Sequence, residues 1–147
     1  MKIHEYQARD LLRSVGIPVP PGRAISSIDE AAQGFKEATA GQAAPMAVVK
    51  AQVFAGGRGK AGFVKLVRTA DEATDAARFM FSNRMKSPQT PPEGLEVRKL
   101  FVATAADIAD RPATASGGTG LPTGAGKEEY YLAITTDRKT RRNILIA

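Results

Sequence analysis

The stretch Met46-Ala47-Val48-Val49-Lys50, followed shortly by Gly56-Gly57-Arg58-Gly59-Lys60-Ala61-Gly62 and then Val64-Lys65-Leu66-Val67, constrains the fold more than any other part of the chain. A short apolar run bounded by turn residues reads as a buried strand. Residues 46–49 therefore predict a strand that delivers Lys50 to its end, and residues 64–67 predict the strand returning from the glycine turn. Glycines expose backbone N–H groups with no Cβ in the way, which suits close approach of an anion such as a phosphate. Arg58, Lys60 and Lys65 add positive charge, and arginine forks onto a phosphate where lysine acts as a point charge. Lys50, fixed by its strand, is the best candidate for a positioned cation.

Two familiar phosphate motifs are excluded. A Walker A loop needs Ser or Thr after its lysine, and Ala61 follows Lys60. A dinucleotide fingerprint runs from strand through turn to helix, whereas this turn is followed by a second strand pattern. On local grounds the alternative is a plain glycine hairpin whose basic residues are solvated.

Residues 3–15 place apolar side chains at mostly helical spacing, and Gly16 and Pro18 end the pattern. Pro18-Val19-Pro20-Pro21-Gly22 predicts an extended link into a strand at residues 23–26. Ser27-Ile28-Asp29-Glu30 and Thr69-Ala70-Asp71-Glu72 both have the capping-box pattern, predicting helices to about Ala38 and about Phe81. Residues 88–94 read as a Pro-rich loop, and residues 97–103, 130–136 and 143–146 as strands. Residues 111–126 are rich in Gly, Ser, Thr and Pro and read as a flexible insertion.

Composition narrows the chemistry. The 147 residues, 43% of them hydrophobic, suffice for one core or two small lobes. With no cysteine and a single histidine, disulfides, thiolate metal sites and clustered histidine sites are excluded. No apolar run approaches the roughly 20 residues of a membrane-spanning helix, so the expected place is the cytoplasm, or a mitochondrial matrix after removal of a leader. A formal net charge of +6 points to anionic partners. A nucleic-acid module is the rival class, favoured by Arg138, Lys139, Arg141 and Arg142. That cluster lacks interleaved aromatics for base stacking and reads as a solvated hairpin.

Three stretches carry a resemblance: His4-Glu5-Tyr6-Gln7-Ala8-Arg9 with Gly16-Ile17-Pro18-Val19-Pro20, the segment from Val48 through Gly62 to Val67, and Glu129-Tyr130-Tyr131-Leu132 with Asp137-Arg138. Together they resemble the N-terminal part of succinate–CoA ligase β subunits, across nearly the whole chain outside residues 111–126. The resemblance implies an α+β, ATP-grasp-type fold of N-terminal lobes with a mixed sheet and flanking helices, truncated relative to the family. It implies that Lys50 meets the phosphates of ATP or GTP, that Gly57, Arg58 and Gly59 form a lid over them, that Ala106 contacts the nucleotide through backbone, and that Glu129 lies near the ribose. It also implies an α-subunit partner carrying a phosphohistidine. Mg²⁺, CoA and succinate would be bound by parts absent here, so the chain alone would bind nucleotide weakly and be inactive, with no catalytic residue of its own. Malate–CoA ligase or a related acid–CoA ligase is the runner-up. In the family a Val-Glu pair follows the hinge strand, and here it is Val102-Ala103. Phe54 stands where relatives are often polar and is expected to line the nucleotide entrance, while His4 is expected to serve structure.

Overall fold

The computed structural model describes residues 2–106, 110–111, 126–127 and 132–146. They fall into two units, Met1–Ala106 and Asp107–Ala147. The first holds helices α1 (Glu5–Ser14), α2 (Ala31–Ala38) and α3 (Ala70–Ser82), with strands β1 (Gly22–Ile25), β2 (Ala47–Ala51), β3 (Val64–Val67) and β4 (Leu100–Thr104).

These strands form one sheet in the order β1-β4-β2-β3. Every neighbouring pair in it is antiparallel, where the resemblance implies a mixed sheet. The reason is topological. Each crossover, β1-α2-β2 and β3-α3-β4, joins two strands that run in the same direction, as crossover connections do. A strand of the other crossover then separates each such pair: β4 lies between β1 and β2, and β2 lies between β3 and β4.

Period-two alternation assigns the two faces. On β2, Ala47, Val49 and Ala51 are buried towards the helices, and Val48 and Lys50 point the other way. Helix α2 covers β1 and β4, α3 covers β2 and β3, and the two helices pack on each other. The packing surfaces are small: Ala31, Gly34, Phe35 and Ala38 on α2, and Ala73, Ala76, Ala77 and Met80 on α3. With Ile25, Val49, Leu100 and Val102 they build the core of this unit.

The capping patterns play out unequally. At Thr69 the side chain accepts from Glu72 N at 3.1 Å, while Glu72 Oε2 accepts from Arg68 N. At the earlier pattern, Glu30 Oε2 accepts from the N–H groups of Ser26 and Ser27, yet regular helix begins only at Ala31 after a tight turn in which Ala31 N donates to Ile28 O. Helix α1 ends in a Schellman turn, with Ile17 N donating to Leu12 O and Gly16 N to Arg13 O. It has no buried residue, and Leu11 and Val15 are well exposed.

The second unit contains β5 (Asp110–Arg111) paired with β6 (Gly126–Lys127), and a hairpin of β7 (Ala133–Asp137) and β8 (Arg142–Ile146), all antiparallel. The stretch expected to be a flexible insertion thus has its two ends paired, and residues 112–125 lie outside the described residues. The cluster Arg138, Lys139, Arg141 and Arg142 lies at the exposed β7–β8 turn and the start of β8. There Asp137 accepts from Lys139 N and Thr140 Oγ1.

Candidate functional site

On the sheet face away from α2 and α3, Lys50 pairs in register with Val64 on one side and Phe101 on the other. It is the penultimate residue of β2, one position before the observed strand end, whereas the sequence places Lys50 itself at that end. Its ammonium donates to Glu5 Oε1 at 2.9 Å. The same carboxylate takes Arg9 at 3.2 Å, an i,i+4 pair on α1, and Arg58 at 3.7 Å. Arg58 is also anchored by donating to Ala51 O at 2.7 Å. One glutamate in the first turn of α1 therefore gathers a cation from β2, one from the glycine loop and one from its own helix.

The loop between β2 and β3 turns back on itself. The carbonyls of Gly57, Arg58 and Gly59 accept from Ala61, Phe63 and Gly62 respectively. With these carbonyls engaged inside the turn, the N–H groups of Gly57, Arg58, Gly59 and Lys60 take no acceptor among the described residues. Gly57 has φ +81°, a left-handed conformation that L side chains rarely adopt. Next to it, Gly56 N donates to Gln89 Oε1 at 2.8 Å, which ties the loop to residues 88–94.

These groups rim a cleft of about 770 Å³, with Glu5, Gly57, Arg58, Gly59, Lys60 and Gln89 among its lining residues. The donor set suits a polyanion: free N–H groups, no Cβ at two of the loop positions, a guanidinium and an ammonium. Cations half withdrawn from water act more strongly than at an exposed surface, because the effective dielectric is lower.

Two titrating groups register this environment. Burial pushes the Glu5 carboxyl up, but the Lys50 hydrogen bond and the charges of Lys50, Arg9 and Arg58 outweigh it and hold the group below the usual glutamate value. For His4, burial and then the charges of Arg58 and Lys99 push the imidazole down from the ordinary histidine value.

The sequence-derived site residues divide as follows. Lys50 and Arg58 come together on Glu5, and Gly57, Arg58, Gly59 and Lys60 line the cleft. Lys65 does not join them. It pairs with Val49 on the opposite sheet face, and its ammonium sits over the Phe79 ring of α3 at 5.4 Å. Ala106 is exposed, two residues beyond β4, and Glu129 lies outside the described residues. Ala103 is fully buried inside β4, in register with Gly22 and Val48. Phe54 lines a smaller adjoining hollow of about 290 Å³ and stacks on His4 at 4.1 Å. His4 itself stands at the N-cap of α1, where its N–H donates to Gln7 Oε1.

Sequence reasoning missed Glu5, Arg9, Gln52 and Gln89. Gln52 is nearly buried, donates to Lys50 O and accepts weakly from Tyr6 N, so it links α1 to the end of β2. The i,i+4 spacing of Glu5 and Arg9 is a readable signal of an ion pair. Nothing local announces that β2 and the glycine loop would converge on it.

Residues 2–112 match the family model described as ATP-grasp domain. The chain is 43% identical over 147 residues to the ADP-forming succinate–CoA ligase subunit beta of Geobacter sulfurreducens, covering all of this chain and 32% of that protein. It is 41% identical over 147 residues to the protein of the same name in Polynucleobacter asymbioticus, again covering all of this chain and 32% of that protein. With the one in Chlorobium limicola it shares 42% over 146 residues, 99% of this chain and 33% of that protein. The chain spans about a third of the length of the curated relatives it matches.

Proposed function

Since the chain belongs to the ATP-grasp domain family, we propose that it is the nucleotide-binding part of a succinate–CoA ligase β subunit, holding the phosphates of ATP or GTP against the loop from Gly57 to Lys60. The observation that carries this reading is the convergence of Lys50 and Arg58 on one carboxylate beside a glycine loop whose N–H groups at residues 57–60 take no acceptor among the described residues. The relatives' shared name supports the choice of enzyme.

In such an enzyme succinate, CoA and a nucleoside triphosphate give succinyl-CoA, nucleoside diphosphate and phosphate, with a phosphohistidine carried by an α subunit. Phosphoryl transfer leaves little covalent work to the protein and depends on positioning and on neutralising charge. Here Arg58, pinned through Ala51 O, presents its guanidinium to phosphate oxygens, and Lys50 supplies a second charge from a rigid strand. The N–H groups of residues 57–60 orient the phosphates without bulk. Magnesium bound with the nucleotide would neutralise further charge. No group of three or more His, Asp or Glu side chains is gathered among the described residues.

The test is titration of MgATP, MgGTP and a short RNA against wild type, Lys50→Ala and Arg58→Ala. Each substitution is expected to weaken nucleotide binding about 10- to 100-fold, the loss of a charged hydrogen bond. Unchanged nucleotide affinity in both, with tight and salt-dependent RNA binding, would replace this reading with the nucleic-acid one.

A further inference from the structure

Resting on that reading, we infer that Glu5 is an internal counter-anion: its carboxylate holds the cations of the phosphate site and is exchanged for phosphate oxygens when a polyanionic ligand enters the cleft. A carboxylate and a phosphate present the same thing to Lys50 and Arg58, acceptor oxygens with negative charge. Glu5 already makes those contacts, at 2.9 Å to Lys50 Nζ and 3.7 Å to the Arg58 guanidinium. Glu5 and Arg58 are among the residues that line the cleft, and Lys50 is not among them. The Lys50 charge is thus spent on Glu5 until a stronger anion displaces it.

The exchange has somewhere to go. Arg9 pairs with Glu5 along α1, and it is held in place independently, by donating to Pro20 O at 3.2 Å and by lying over the Phe101 ring at 5.0 Å. Glu5 keeps this partner when Lys50 and Arg58 turn to the ligand. The helix that carries Glu5 has no buried residue, so a small shift of its first turn costs no core packing. Glu5 thereby sets a threshold. A ligand wins Lys50 when it brings more negative charge to that point than one carboxylate does, which selects polyphosphates over singly charged anions.

The sign of the effect separates this role from simple support of Lys50. If Glu5 competes, Glu5→Gln tightens binding of MgATP and of inorganic tripolyphosphate by about 5- to 30-fold, the scale of one nearby like charge removed at an intermediate dielectric. Calorimetric titration of the 147-residue chain reads this directly. In a Lys50→Met background the same substitution should lose most of its effect, because the coupling runs through Lys50. Glu5→Asp, which keeps the charge, should stay closer to wild type than Glu5→Gln and guards against a folding defect. Weaker or unchanged binding in Glu5→Gln, with Lys50→Ala still impaired, overturns the counter-anion role and leaves the nucleotide site standing. Absence of binding to either ligand in wild type and every variant overturns both.

Discussion

Phe101 shows how single positions around the site depend on one another. Its ring occupies the α1 face of β4, carries the Arg9 guanidinium, and lies where a side chain on residue 22 would go. A Cβ built on Gly22 would come within 2.6 Å of Phe101 Cζ and 3.0 Å of Ala103 Cβ, so a glycine is needed for β1 and β4 to pair with that ring in place. Phe101 is almost fully buried and has little room to yield. Gly22→Ala is expected to destabilise the fold by about 1–3 kcal/mol, the usual range for forced overpacking, measured by urea unfolding. A loss near zero would show that the ring rotates away freely. The same substitution should disturb Arg9 and, through it, Glu5, although residue 22 touches neither the loop nor the cleft.

At the level of elements, the helices depend on their ends to different degrees. Helix α3 starts on a true side-chain cap, and Thr69→Ala removes the acceptor for Glu72 N, which should cost about 1 kcal/mol in thermal or denaturant unfolding. A cost below a few tenths would mean that water replaces the hydroxyl without penalty. These caps were legible in the sequence because capping is local, and so were β2 and β3, whose apolar residues flank a glycine turn. The earlier box pattern, Ser27 to Glu30, was legible only in part. Its glutamate reaches back as expected, but the helix starts after an extra turn that no residue of the pattern announces. Lys65 was misread as part of the cation set because charge was counted without strand parity. An even separation from Val67, which is buried towards the helices, already puts Lys65 on that face. Glu5 was beyond sequence reasoning for another reason: it is distant from Lys50 and Arg58 along the chain, and only the sheet order and the placement of α1 bring the three together.

For the molecule as a whole, burial is unevenly distributed. The central strands β2 and β4 bury nearly every helix-facing side chain, whereas β8 is exposed along its full length and β7 is exposed at Ile134, Thr135 and Thr136. A two-stranded hairpin with little buried surface is marginal in water. Amide hydrogen exchange should therefore be slow in β2 and β4, opening only with global unfolding, and faster by orders of magnitude in β7 and β8. Equal protection in the two regions would contradict this.

The pairing of β5 with β6 has a practical consequence. Asp110 pairs in register with Lys127 and Arg111 with Gly126, so the segment between them begins and ends at one rung of the ladder. Fourteen residues, 112–125, join Arg111 to Gly126. Closing a loop costs only about 0.6 kcal/mol more each time its length doubles. Lengthening this connection, by an epitope or a reporter sequence for example, is therefore expected to cost the β5–β6 pairing little in closure entropy.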